Sequence, residues 1–159
     1  MPRLIDTDVI QRFLTVVVHQ LRNTVGVDAM LAGFGDRGLS SESIAVTLDF
    51  AGDVRGPVTW VFPEQIALEL VRRLMADPDP GPEMAVDGAT ELANILTGRA
   101  SEVLETHGFR CEFGAPRVHT GALPDGMQMR MNTAAGPIDI VLSMMRRTQV
   151  IRTIPLRSA

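Results

Sequence analysis

The chain has 159 residues, 45% hydrophobic and 21% charged, with a net charge of −4. That length suffices for one domain that buries a core without disulfides or metals, and the composition excludes a disordered chain and a basic nucleic-acid binder. The single cysteine, Cys111, excludes an intramolecular disulfide and fits a reducing compartment.

No run reaches the roughly 18 apolar residues of a membrane span, so the expectation is a cytoplasmic protein with no membrane contact. All fifteen basic residues are arginine, which reads as coding bias ahead of a dedicated anion site. Residues 8–25 place Ile10, Phe13, Leu14, Val17, Leu21 and Val25 at helical spacing, with Asp6, Thr7 or Asp8 available as the cap. His19 lacks a second ligand at metal spacing and reads as a solvated residue. "SESIAVTLDF" and "GPVTWVF" alternate apolar and polar residues around the turn-rich "AGDVRG", which predicts a hairpin. Pro63 then stands where a helix begins, and "PEQIALELVRRLM" continues it through Ile66, Leu70 and Leu74.

"ADPDPGPEM" has three prolines that stop a helix, and reads as a linker. The third and longest helix is expected over 87–108, stopped by Gly108. After it come "FRCEF", a loop containing Pro116 and Gly121, and the strands "GMQMRMNTA" and "PIDIVLSMM". Met127, Met129 and Met131 share one face by the period of two, which predicts core or interface packing. Val150, Ile151 and Ile154 read as an edge strand able to pair with another chain.

Helix, hairpin and helix in the first half are answered by helix and hairpin in the second, with "NTVGV" and "ETHGF" at similar helix ends. The pattern predicts an α+β fold built from a duplicated helix-plus-hairpin module, with an antiparallel sheet packed against long helices. It is read as one domain over 1–159, with halves of about 1–80 and 81–159.

On the third helix, Val86, Ala89, Leu92, Ala93, Leu96, Ala100, Val103 and Leu104 fall on one side at about 100° per residue, which predicts the buried face. Asp87, Glu91, Asn94 and Gly98 form a narrow band opposite, at spacings of four, three and four. Early carboxylates suit the helix dipole and a solvated face. Asn94 and Gly98 do not, since Asn costs about 0.5–0.7 kcal/mol and Gly about 1 kcal/mol against alanine in a helix. A carboxamide offers a donor and an acceptor on an uncharged arm, so it orients water without taking its proton. That ability matters in phosphoryl transfer, where the transition state is loose and positioning dominates. Gly98 lets another surface approach closely. No metal-ligand cluster or nucleophile–base pair accompanies the band, so any chemistry there needs a substrate that brings its own metal and electrophile.

The order D-x-x-x-E-x-x-N at Asp87, Glu91 and Asn94, followed later by Pro116, resembles the signature of the CheC/CheX/FliY family of chemotaxis phosphatases. "ELANILTGRA" and "PRVHTG" are similar to the family's flanking segments. The resemblance implies a pseudo-twofold α+β architecture. It also implies a phosphatase that removes the aspartyl phosphate of a CheY-type response regulator. Asn94 then orients the attacking water, Glu91 pairs with the regulator's lysine, and Asp87, Gly98 and Pro116 support the face. The regulator supplies Mg²⁺, and the protein needs no metal or other cofactor of its own. With Gly26 set against Gly108, the first helix has Val9 and Arg12 at the positions of Glu91 and Asn94, so there is one site. A single site fits the CheX-like branch and a homodimer built by strand pairing. A non-catalytic adaptor docking on a receiver domain is the alternative. A flagellar motor-switch component is a third reading, less favoured because the chain has no appended segment to dock on such a structure.

Overall fold

The computed structural model describes residues 3–4, 7–34, 43–76, 79–119 and 123–146. Helix α1 spans Thr7–Val25 and is followed by strand β2, Ala29–Phe34; the two-residue strand β1, Arg3–Leu4, precedes both. The predicted hairpin is β3, Ser43–Gly52, with β4, Val54–Pro63. It leads through Pro63 into α2, Glu64–Met75, and then α3, Pro82–Thr106. Strands β5, Cys111–Phe113, β6, Arg117–His119, β7, Met127–Thr133, and β8, Gly136–Leu142, follow, with the two-residue β9, Met145–Arg146.

All strand pairs are antiparallel: β2 pairs with β7, β7 with β8, β8 with β4 and β4 with β3, whose far edge takes β5 and β6. The short β9 joins β4 to β1. Read outward from the central β4–β8 pair, each hairpin is flanked by a strand from the other half of the chain: β5 and β6 beside β3–β4, β2 beside β7–β8. One face of the sheet faces the helices. Ile44, Val46, Leu48 and Phe50 of β3 enter a core shared with Phe13, Val17 and Leu21 of α1 and with Leu92, Leu96 and Leu104 of α3. Those four share a face by the two-residue period of a strand, and Ala45 and Thr47 between them are buried on the other face. Met129 and Met131 belong to the same core and are fully buried, while Met127 packs at its margin.

Both predicted helix ends carry left-handed glycines, Gly26 at φ +69° and Gly108 at φ +83°. After α1 the Val27 amide donates to the Leu21 carbonyl at 3.2 Å, and after α3 the Phe109 amide donates to the Leu104 carbonyl at 2.9 Å. These bonds satisfy carbonyls that the helix ends leave open. The hairpin turn is clasped to the chain leaving α3: the Asp53 amide donates to the Arg110 carbonyl at 2.8 Å, and the Arg110 amide returns a 2.8 Å bond to Asp53 Oδ2. That clasp sets β5 alongside β3.

The structure differs from the sequence expectation in several places. Helix α3 begins at Pro82, five residues earlier than expected, because proline is tolerated at the first helical position where its missing donor has no partner to lose. The loop expected to contain Pro116 holds β6, and β2 was not expected. Val86 is 38% exposed and Val103 half-buried, although both were assigned to the buried face, whereas Gly88 and Thr97 are buried. The helix is enclosed over a wider arc because it packs against α1, α2, β3, β5 and β6. Gly121 and the segment holding Val150, Ile151 and Ile154 lie outside the described residues.

The α2–α3 contact depends on a missing side chain. A Cβ at Gly88 would stand 1.8 Å from Val71 Cγ2, a clash relieved only if the buried Val71 changes rotamer or the two helices move apart. Gly88→Ala is expected to destabilise the protein by about 1–3 kcal/mol despite alanine's better helix propensity. A denaturation midpoint at or above wild type would show that the helices do not meet there.

Candidate functional site

Helix α3 puts the predicted band on its outward strip. Asp87 and Glu91 are exposed, and Asn94 and Gly98 are half-buried. The neighbours between them in sequence, Leu92, Ala93, Leu96 and Thr97, are buried. Among the described residues, the side chains of Asp87, Glu91 and Asn94 make no hydrogen bond or ion pair. Other charged side chains are engaged: Arg130 donates twice to Asp139, at 2.7 and 2.9 Å, and Arg72 and Arg73 both bond Glu69. Those contacts raise the pKa of Arg130 and lower that of Glu69. The band's polar groups are therefore available to an outside partner.

Gly98 meets its own chain first. A Cβ built there would lie 3.6 Å from Phe113 Cζ, in ordinary van der Waals contact, so the ring of Phe113 in β5 covers this end of the band. Phe113 itself packs against Phe50 at a centroid distance of 5.9 Å. Pro116 is half-buried in the link between β5 and β6, both of which touch α3.

Strand β6 is three residues long and holds to β3 partly through side chains. Thr47 Oγ1 lies 2.7 Å from His119 Nε2 and 2.8 Å from Thr59 Oγ1, and Arg117 donates to Asp49 at 2.5 Å. Val118 stands opposite Val46 in the register, so it points to the helix side of the sheet, yet it is 44% exposed. An exposed apolar residue on the strand beside α3 extends the face that the band begins. Sequence reading missed it because a three-residue strand shows no alternation.

Two open grooves lie elsewhere. One of about 380 Å³ runs between α1 and α3 past His19 and Arg99, and one of about 470 Å³ lies beside β6, lined by Thr47, Asp49, Arg117 and His119. Neither includes Glu91 or Asn94. Small-molecule sites are concave and enclose their ligands, whereas the band stands on an open helix face suited to a macromolecular partner. Cys111 is no nucleophile in waiting: burial, with Glu105 and Asp53 nearby, pushes its thiol up to about 11. Among the described residues no three His, Cys, Asp or Glu side chains are grouped to hold a metal ion, and no helix is long and apolar enough to cross a membrane.

The family model for the chemotaxis phosphatase CheX matches residues 44–145. No curated protein sequence matches the chain. Among solved structures, the chemotaxis protein CheX from Desulfovibrio desulfuricans is similar at a TM-score of 0.72 and 15% identity, covering 88% of this chain and 99% of that one. CheX from Vibrio vulnificus gives a TM-score of 0.71 at 19% identity, covering 89% and 100%. A CheX–CheY–BeF₃–Mg²⁺ complex from Borrelia burgdorferi gives 0.64 at 18%, covering 89% and 98%. At these identities the likeness is one of fold, a mixed helix and antiparallel-sheet architecture.

Because the space at Gly98 accepts a methyl group, Gly98→Ala is expected to raise stability by about 0.5–1 kcal/mol through helix propensity alone. A lower unfolding midpoint would mean that Phe113 sits closer than 3.6 Å to that Cβ.

Proposed function

The chain belongs to the chemotaxis phosphatase CheX family, and we propose that it hydrolyses the aspartyl phosphate of a phosphorylated CheY-type response regulator docked on the outer face of α3. Water attacks the phosphorus, the bond from phosphorus to the aspartyl oxygen breaks, and inorganic phosphate leaves as the regulator's carboxylate is restored. Asn94 holds that water in line, accepting one of its hydrogens at the carboxamide oxygen or donating to it from the amide nitrogen. In a loose transition state such positioning contributes more than a strong base. Glu91 pairs with the regulator's active-site lysine and fixes the docking register. Asp87, Gly98 and Pro116 form the rim.

The observation that carries this reading is the pair of unengaged polar side chains, Glu91 and Asn94, one turn apart on the exposed strip of an otherwise enclosed helix. The Borrelia complex of CheX with CheY, BeF₃ and Mg²⁺ supports a CheY-type partner and a magnesium ion that arrives with it. The protein itself then works without a cofactor, in the cytoplasm, as a single domain over 1–159.

The proposal includes a homodimer formed by strand pairing. Its support is β2, which among the described residues pairs on one side only, with β7, and leaves Met30 68% and Leu31 41% exposed. An edge strand with exposed apolar side chains is a template for another chain. Sedimentation velocity is expected to give twice the monomer mass, and a monomer at micromolar concentration would remove this part of the proposal.

The central test is phosphate release from acylphosphate-loaded regulators of the same organism. Wild type is expected to accelerate release from one of them, Asn94→Ala to cut kcat by about 100-fold or more while keeping its fold, and Glu91→Ala to weaken regulator binding by about 10-fold, or 1.4 kcal/mol. Equal rates for wild type and Asn94→Ala would remove Asn94 from the mechanism. Binding without faster release would mark the chain as an adaptor.

A further inference from the structure

The chain's one tryptophan, Trp60, sits on the helix side of β4 and is fully buried. Its indole stacks on Phe13 of α1, with centroids 6.5 Å apart and planes 18° from parallel. Its Nε1–H donates to Thr97 Oγ1 at 2.9 Å, and Thr97 is also fully buried. Among the described residues this is the one side-chain hydrogen bond that joins α3 to another element. The other buried contacts of α3 are made by residues such as Ala89, Leu92, Leu96 and Leu104. Apolar contacts are non-directional and, within the limits that the close approach at Gly88 sets, tolerate small rolls of a helix about its axis. A hydrogen bond weakens steeply when its angle opens and does not.

Thr97 follows Asn94 by three residues, about 60° around the helix and roughly 4.5 Å along it. The two are therefore rigidly linked by backbone: whatever fixes the roll of α3 at Thr97 fixes where the Asn94 carboxamide points. A side-chain tip stands about 5–6 Å from the helix axis, so a roll of about 10° carries it by about 1 Å. Misplacement of that size costs on the order of 100-fold where a reaction depends on orientation.

We infer that the Trp60–Thr97 hydrogen bond is a positioning device: it sets the roll of α3 and so places the Asn94 carboxamide for its water, with Thr97 acting through the helix and touching nothing that reacts. This inference rests on the phosphatase reading for its kinetic consequence, while its structural half stands apart from it.

The test uses Thr97→Val, which keeps the shape and removes the acceptor, Thr97→Ser, which restores a hydroxyl, and Trp60→Phe, which removes the donor. Thr97→Val is expected to lower kcat for regulator dephosphorylation at least 10-fold with KM for the phosphorylated regulator within 2-fold of wild type, and Thr97→Ser to recover most of the loss. The double variant Thr97→Val with Trp60→Phe is expected to be no slower than the worse single variant, because both act on one bond. In ¹⁵N-labelled protein the one indole N–H resonance and the Asn94 side-chain amide resonances are expected to shift together in Thr97→Val and to stay near wild type in Thr97→Ser. Movement of the indole resonance with Asn94 and kcat unmoved would overturn the inference. If Asn94→Ala is silent as well, the phosphatase reading falls, and the coupled amide shifts then decide the positioning role alone. A strong Asn94→Ala effect beside a silent Thr97→Val leaves the phosphatase reading standing and removes this inference.

Discussion

The structure turns on how tightly α3 is enclosed. Gly88 lets the helix approach Val71 of α2 more closely than any side chain would permit, and a run of alanines, Ala85, Ala89, Ala93 and Ala100, keeps the rest of its inner face short. A helix held at such close range against two helices and the edge of a sheet has its inner side closed to water. What remains is an outer side, on which Arg99 and Glu102 are exposed as well, and only residues there are free to present polar groups outward. Asp87, Glu91 and Asn94 occupy it. Small residues on the inner face and unengaged polar groups on the outer one thus go together in the same close packing.

The same enclosure explains why side-chain precision is available on an open surface. Binding groups on loops depend on the loop's own order, whereas Glu91 and Asn94 sit at i and i+3 of a 25-residue helix, so their separation is fixed by helix geometry. One degree of freedom is left, the orientation of the helix as a body against the sheet. The clasp between Asp53 and Arg110 limits its far end by tying the chain that leaves α3 to the β3–β4 turn, and the indole of Trp60 reaches it in the middle.

Much of this was legible in the sequence, for physical reasons that also mark where legibility stops. The three helices announced themselves because an apolar face repeats over several turns, and their ends because only glycine takes the left-handed conformation cheaply at Gly26 and Gly108. The β3–β4 and β7–β8 hairpins showed because apolar and polar residues alternate in sequence beside turn-rich segments, although residues facing away from the helices, such as Thr47, Thr59 and Asp139, are buried as well. Strand β6 did not, since its three residues are held by bonds from Thr47 and Asp49, more than sixty positions away. Strand β2 lacked a clean alternation because its register shifts between Leu31 and Gly33. The outward band on α3 followed from spacing alone. That Phe113 would close over Gly98, and that Thr97 would be drawn into the core by an indole, followed from pairings with no local trace.

An open face with an amide and a carboxylate is chemically modest, and that modesty matches the reaction proposed for it. An acylphosphate is already an activated electrophile, and a magnesium ion beside it already offsets the charge on its oxygens. The contribution left to a second protein is entropic: to take one water from bulk solvent, hold it on the line of attack and exclude other geometries. A charged base at the position of Asn94 would bring a negative group toward a phosphoryl centre that is itself anionic, and repulsion would oppose docking. A neutral carboxamide avoids that cost while keeping both a donor and an acceptor for the water. The carboxylate stands one turn away, at Glu91, where the proposed docking has it meet a cation instead. On this reading the division between a charged docking residue and a neutral positioning residue follows from the charge of the substrate, and it depends on a helix that does not roll.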